Sequence, residues 1–123
     1  MSGVTTAVEA GSEKVFAALA SPVRREVLQL LREAGPQPVS ALASHFEMAR
    51  PSFSEHLRVL REARLVSETR VGRQRLYRLE GAALYEVQEW LHPFERFWRD
   101  KLRGMRDVLD SLDDDPLDDE EQP

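Results

Sequence analysis

The chain has 123 residues, a net charge of −5 at neutral pH and no cysteine. This length supports one small domain, and a core of that size gains stability from pairing with a second copy. The missing cysteines exclude disulfides, thiolate metal sites and cysteine nucleophiles. No apolar run approaches the roughly 18 residues of a membrane span, and the N-terminus lacks an export signal, so we expect a cytoplasmic protein without a membrane partner.

The acidic residues are concentrated at the C-terminal end. Seven of the 22 Asp and Glu residues follow Leu112, so residues 1–112 carry 17 basic and 15 acidic side chains. Between Arg50 and Arg78 there are eight arginines and only three glutamates. Such a local excess of cations is typical of a surface that binds phosphate groups.

The first predicted elements are two helices. After a flexible segment at residues 1–12, the apolar spacing predicts a helix over residues 13–20. A second helix should begin at Pro22, because Ser21 is a good N-cap and proline fits the first helical position. Gly35 marks its end.

A pair of short helices is predicted next. Ser40 can cap a third helix over residues 41–46, and Pro51 opens the fourth. Apolar residues recur along the fourth helix at helical spacing, namely Phe53, Leu57, Leu60 and Leu65. The other face should point to solvent with Ser52, Glu55, Arg58 and Arg61.

A basic hairpin follows directly. Its strands are predicted over residues 65–69 and 74–79, with a turn at Val71-Gly72-Arg73 where Gly72 supplies the positive φ of a tight hairpin. The fold class is therefore mainly α with a small β-hairpin, a winged helix-turn-helix. In this arrangement the second helix of the pair enters the major groove of DNA, and the hairpin contacts the backbone or the minor groove.

The last predicted element is a long amphipathic helix over residues 81–112, within a domain spanning residues 13–112. Its apolar stripe is too long for the small core to cover, so we expect it to pair with a second copy. The dimerisation residues are then Leu91, Phe94, Trp98, Leu102, Met105 and Leu109. Pro93 should kink or split this helix near residues 89–92. Residues 113–123 have the composition of a disordered acidic tail.

Three segments together resemble the ArsR family of winged-helix transcriptional regulators: SPVRREVLQLL, VSALASHFEMARPSFSEHLRVLREARLV and VGRQRLYRL. The resemblance covers roughly residues 14–112, and SEHLRVLREA followed by GRQRLYRL is its most specific part. It implies a homodimer that represses an operon by occupying double-stranded operator DNA until an inducer releases it. The aromatic segment WLHPFERFW resembles a subset of the family without implying a defined inducer.

The DNA-binding roles follow from the helix-turn-helix and the wing. We assign base reading to Arg50, Ser52, Ser54 and Glu55, and phosphate contacts to Arg58, Arg70, Arg73 and Arg75. Glu55 is equally well explained by simple solvent exposure. His56 matches a histidine common in the family's recognition helix, where a phosphate contact or a packing role is expected rather than chemistry.

Two positions depart from the family pattern. A serine often precedes the recognition helix, and this chain has Ala49 and Arg50 there; losing the hydroxyl cap costs about 1 kcal/mol. Arg64 replaces a glycine that tends to be left-handed, which again costs roughly 1 kcal/mol. Both replacements leave room for added basic contacts to DNA.

Other functions find little support in the residues. The three histidines, His45, His56 and His92, are scattered, so we predict no metal site and no cofactor. Trp90, Phe94, Phe97 and Trp98 are read either as dimer core or as a pocket for a small apolar inducer. We expect no enzyme, because no phosphate loop, carboxylate pair or activated nucleophile is present. The alternative function is a winged-helix protein-interaction module without specific DNA binding.

Overall fold

The computed structural model describes residues 13–113. Its elements in chain order are α1 (13–19), α2 (Pro22–Ala34), β1 (Gln37–Pro38), α3 (Val39–Ala43), α4 (Arg50–Glu62), β2 (Val66–Val71), β3 (Gln74–Leu79) and α5 (Leu84–Asp113). The chain divides into two compact units, with the boundary between Gln88 and Glu89. The predicted flexible segment 1–12 and the acidic tail from residue 114 onward lie outside the described residues.

Helix α2 has the predicted start and stop. The Ser21 side chain accepts a hydrogen bond from the backbone N–H of Arg24 at 3.3 Å, and Pro22 occupies the first turn. Gly35 ends the helix with φ 79°, and its N–H donates to the carbonyl of Leu31 at 2.9 Å. Both signals act within one turn of the residue that carries them, and the sequence therefore reveals them.

The prediction for α3 is wrong at both ends. The helix begins at Val39, and its N-cap is Pro38, which makes no side-chain capping bond, instead of Ser40. Pro38 still pairs with Leu76 in the sheet, so the chain passes straight from β1 into the helix. At the other end the Ser44 hydroxyl donates to the carbonyl of Ala41 at 2.7 Å, and the helix stops at Ala43.

Helix α4 begins one residue earlier than predicted, at Arg50. Its N-cap Ala49 makes no side-chain hydrogen bond, which confirms the predicted loss of a hydroxyl cap. The helix ends in a left-handed residue as predicted, since Arg64 has φ 62°. The N–H of Arg64 donates to Arg61 at 2.9 Å and that of Leu65 to Leu60 at 3.0 Å, the bond pattern of a Schellman motif.

The strands form one antiparallel sheet in the order β1-β3-β2. The wing hairpin pairs Val66 with Leu79 at its base and Val71 with Gln74 at its tip. Gly72 and Arg73 form the turn, and Gly72 has the predicted positive φ, at 63°. Strand β3 has the predicted bounds, whereas β2 begins one residue later and ends two residues later than predicted.

One core holds α4 and the wing in place. Its buried residues come from the helices, the hairpin and the turn before α5: Val15, Ala18, Val27, Leu28, Leu31, Leu42, Phe53, Leu57, Leu60, Ala63, Leu65, Val66, Tyr77 and Ala83. Burial on one side of α4 fixes which of its side chains remain outside. Packing against the core therefore leaves the polar face of α4 and the basic hairpin exposed to solvent.

Helix α5 runs from Leu84 to Asp113 with Pro93 inside it, so of the two predicted outcomes, a kink or a split near residues 89–92, the split does not occur. A proline within a helix removes one backbone hydrogen bond, and the turns on either side carry the helix past it. Along the predicted stripe Leu91 is half-buried, and Phe94, Trp98, Leu102, Met105 and Leu109 are exposed in the single chain. None of the helices in residues 13–113 is both long enough and apolar enough to cross a bilayer.

Candidate nucleic-acid interface

The outer face of α4 carries most of the side chains assigned to base reading. Ser52, Ser54 and Glu55 are exposed, while Phe53 and Leu57 on the opposite face are buried. No acidic residue lies in the first turn of α4. The uncapped N–H groups there and the positive end of the helix dipole favour an anionic partner at this end.

Arg58 is bound to its own helix in the free protein. Its guanidinium donates to the carboxylates of Glu55 and Glu62, one turn away on either side. The hydrogen bond from Arg58 lowers the pKa of Glu55, and the bonds to Glu55 and Glu62 raise the pKa of Arg58. Arg58 and Glu55, both assigned to DNA contacts, thus form an ion pair with each other. This ion pair has to break before either side chain can contact DNA.

Arg61 joins α4 to the wing, and its side chain is only partly exposed to solvent. Its Nη1 donates to the hydroxyl of Tyr77 at 3.1 Å and to Oε1 of Glu68 at 3.4 Å. Glu68 also lies 3.5 Å from Nη1 of Arg75, through its buried Oε2. Burial of Tyr77 raises the pKa of its hydroxyl. The network connects α4 to both strands of the hairpin.

His56 is partly buried and is hydrogen-bonded to a residue of another helix, Arg24 of α2. Its Nδ1 lies 3.0 Å from Nη1 of Arg24, and because arginine only donates, Nδ1 is the acceptor. Arg24 also donates to the carbonyls of Ala17 at 3.1 Å and Ala18 at 2.8 Å. Arg24 was not among the predicted functional residues, since its partner His56 lies 32 positions away and no local pattern announces the pair.

The arginines of the wing are exposed. Arg70 and Arg75 are direct partners across the two strands, and Arg73 lies in the turn between them. Like charges opposite each other in a hairpin repel, so an anion placed between them relieves an unfavourable interaction. Three of the four arginines predicted to hold phosphates therefore lie on one small hairpin.

A cleft of about 310 Å³ opens between α4 and the wing. Arg50 and Ser54 of α4 and Arg75 of β3 line it together with Arg61 and Tyr77. Arg50, which the sequence assigned to base reading, thus lines the same cleft as Arg75, which it assigned to phosphate. The sequence could not show this pairing because strand register decides it.

Of the residues considered for metals and inducers, His92 and the aromatic residues lie along α5, whereas His56 lies on α4 and His45 follows α3. Within residues 13–113 no group of three or more histidine and carboxylate side chains is arranged to hold a metal ion. His92 lies 3.8 Å from Glu95. The rings of Trp90 and Phe94 are in contact at a centroid distance of 5.0 Å with their planes tilted by 36°, and Nζ of Lys101 lies 5.3 Å from the centre of the Phe97 ring.

Comparisons with known proteins agree with this geometry. Residues 19–69 match a helix-turn-helix domain family. The chain is 36% identical over 103 residues to the HTH-type transcriptional regulator Rv2034 of Mycobacterium tuberculosis, covering 84% of this chain and 92% of that one. It is 35% identical over 80 residues to the transcriptional repressor SdpR of Bacillus subtilis, covering 65% and 88%.

Solved structures show the same fold. The ArsR family transcriptional regulator RHA00566 superposes with a TM-score of 0.67 at 35% identity, over 74% of this chain and 93% of that one. The homodimeric winged helix-turn-helix DNA-binding domain Mb0332 of Mycobacterium bovis superposes with a TM-score of 0.61 at 29% identity, over 76% and 92%. The chain belongs to the ArsR family of winged helix-turn-helix transcriptional regulators.

Proposed function

We propose that the protein is a homodimeric repressor that binds palindromic operator DNA through α4 and the wing. The observation that carries this proposal is the arginine-rich surface that α4 and the hairpin share, with eight arginines and three glutamates between Arg50 and Arg78. The Arg61–Tyr77 bond holds the two elements together. One element is then placed for base edges and the other for the backbone.

The roles within this surface follow from exposure. Ser52, Ser54 and Glu55 are placed to read bases, and Glu55 can accept from a cytosine amino group once Arg58 turns to a phosphate. Arg70 and Arg73 of the wing contact the backbone. His56 supports α4 through Arg24.

Pairing through α5 completes the proposal. The exposed apolar residues Phe94, Trp98, Leu102, Met105 and Leu109 follow helical spacing and form a stripe that one chain leaves open to water. The solved relative Mb0332 is a homodimer. A symmetric pair of chains matches an operator with dyad symmetry, with half-site centres about one helical turn, roughly 34 Å, apart.

The signal that relieves repression is proposed to be organic rather than a soft metal. An apolar inducer would occupy the aromatic cluster of Trp90 and Phe94 and compete with the partner helix for it. Release requires that the inducer bind one state of the protein better than the other.

The test is a gel-shift assay on the DNA upstream of the protein's own coding region, at two salt concentrations, followed by footprinting. We expect a protected stretch with dyad symmetry and an affinity that falls with added salt. Equal binding to upstream and unrelated DNA would favour the protein-interaction module. A protected stretch without dyad symmetry, or one chain per site, would contradict the dimeric repressor.

A further inference from the structure

We propose that the cleft between α4 and the wing binds a single backbone phosphate of the DNA, held jointly by Arg50 and Arg75. The inference rests on the proposed function and names one ligand subsite within it. It moves Arg50 from reading bases to holding the backbone. The resulting contact is a clamp in which the recognition helix and the wing grip the same phosphate from two sides.

The lining of the cleft is cationic. Three arginines, Arg50, Arg61 and Arg75, line its volume of about 310 Å³, and no carboxylate does. Glu68 contacts Arg61 and Arg75 but can neutralise only one charge. Two positive charges remain for a ligand, which suits a phosphate group better than a neutral base edge.

The polar groups of the cleft match the acceptors of a phosphodiester. Arginine presents a planar fork that binds two phosphate oxygens at once, and both Arg50 and Arg75 line the cleft. Arg61 is already engaged by Tyr77 and Glu68, so it supplies charge and a fixed wall. Arg50 makes no ion pair within the described part of the chain, and Arg75 has only the 3.5 Å contact to Glu68.

Glu68 is a positioning residue in this arrangement. Its two carboxylate oxygens lie 3.4 Å from Arg61 and 3.5 Å from Arg75, so the carboxylate holds the Arg75 guanidinium beside α4. Without Glu68, Arg75 would lose this contact and would still be repelled by Arg70, its partner across the hairpin.

The experiment measures the salt dependence of binding to a duplex selected by the wild-type protein from a randomised pool. The variants are Arg50→Gln, Arg75→Gln and both together, with Arg32→Gln on α2 as the matched control. A phosphate held by both arginines stays largely neutralised when one is lost, so each single variant should keep most of the salt slope. The double variant should lose about one unit per half-site.

Independent contacts predict a different result. If each arginine held its own phosphate, each single variant would lose about one unit and the double variant about two per half-site. That outcome, or an unchanged slope in the double variant, overturns the clamp. The variant that combines Arg50→Gln with Arg75→Lys should keep most of the salt slope that the variant with Arg50→Gln and Arg75→Gln loses. Circular dichroism checks that all variants fold.

A second arm locates the phosphate in the DNA. Methylphosphonate groups, which remove the charge of one phosphate at a time, should lower wild-type affinity about tenfold or more at one position per half-site. The double variant should not respond at that position. A double variant that responds like the wild type overturns the proposal, whereas a wild-type protein that selects no duplex from the pool contradicts the proposed function itself.

A third arm distinguishes the DNA backbone from free phosphate as the source of the anion. Inorganic phosphate is titrated into the DNA-free protein at constant ionic strength, and the arginine side-chain NMR signals are followed. We expect shifts no larger than those that sulfate causes, because the cleft is open and the duplex supplies the rest of the contacts. Saturable binding of inorganic phosphate alone would reassign the cleft to a free anion.

Discussion

The hydroxyl of Tyr77 connects the wing to α4. Tyr77 is 2% exposed, and its hydroxyl accepts from Arg61 at 3.1 Å. Replacing Tyr77 with phenylalanine removes a hydrogen bond to a charged donor and should lower the free energy of unfolding by about 1–2 kcal/mol. Urea unfolding measures the change, with Tyr85→Phe as the control on an exposed tyrosine. Equal stability of Tyr77→Phe and the wild type would show that the bond is not formed in solution.

The same tyrosine produces a pH dependence. Burial raises the pKa of Tyr77, so folding favours the neutral hydroxyl. The stability that this provides is fully present below the ordinary tyrosine pKa of about 10 and is lost as the pH rises through the higher folded value. The wild type should therefore lose stability at alkaline pH faster than Tyr77→Phe.

Arg73 at the tip of the wing should act on all DNA sequences alike. It lies in the hairpin turn, where a guanidinium reaches the backbone and no base edge is required. Arg73→Ala should weaken binding uniformly and reduce the salt slope by about one unit, whereas Ser54→Ala should alter base preference. Titrations at several salt concentrations, with Arg32→Ala as the control, measure both. An unchanged affinity and slope for Arg73→Ala would show that the tip of the wing does not touch DNA.

Residue roles could be predicted where the environment is local. The positive φ of Arg64 and Gly72 follows from a helix end and a tight turn, both encoded in adjacent residues. The engagement of His56 by Arg24 and of Arg61 by Tyr77 depends on tertiary contacts over 32 and 16 positions. Local sequence patterns do not contain such distant partners, so they predicted an outward-facing Arg61 and did not reveal its bond to Tyr77.

The backbone is strained at the C-terminal end of α4. Arg64 has φ 62° within a Schellman motif, a conformation that an L-residue adopts at a cost of about 1 kcal/mol. Arg64→Gly should therefore raise the free energy of unfolding by up to about 1 kcal/mol, reduced by the greater freedom of glycine in the unfolded chain. Arg64→Ala, which keeps the strain, is the matched control. Chemical unfolding that ranks Arg64→Ala above Arg64→Gly would contradict this account.

Helix α5 should pair through its aromatic stripe. Phe94 and Trp98 are 44% and 45% exposed in the single chain, and in a packed interface each such side chain contributes roughly 3–5 kcal/mol. Phe94→Ala combined with Trp98→Ala should give a monomer by analytical sedimentation. Phe97→Ala is the matched control, since Lys101 covers that ring and it lies off the stripe. A dimer that survives the double change would place the interface on other elements.

Elements were predictable where short-range signals mark both ends. Helix α2 begins at Ser21-Pro22 and ends at Gly35, and these residues predict its bounds without reference to the rest of the chain. Strand β1 was missed because its two residues pair with Tyr77 and Leu76, which lie far along the sequence. With that pairing the N-cap of α3 is Pro38 instead of Ser40, and the helix starts at Val39 instead of residue 41.

At the scale of the whole molecule, an acidic C-terminal segment and an arginine-rich region carry opposite charges. Seven carboxylates follow Leu112, and the excess of arginine lies between Arg50 and Arg78. Removing residues 113–123 should raise the affinity for non-specific DNA at low salt, because these carboxylates compete with phosphate for the arginines. The difference should disappear at high salt. Filter binding with a random duplex measures it, and replacing the carboxylates by amides is the control for length. Unchanged binding at low salt would limit the segment to a role in solubility.

Both tryptophans of the chain, Trp90 and Trp98, lie on α5 and are 56% and 45% exposed. The residues up to Gln88, which contain α4 and the wing, carry no tryptophan. Intrinsic fluorescence excited in the tryptophan band therefore reports on α5 alone. Assembly that buries these indoles shifts their emission to the blue, whereas DNA bound at α4 changes the anisotropy of a labelled duplex. Tryptophan emission and the anisotropy of the labelled duplex, recorded on the same sample, can thus follow pairing and operator binding separately.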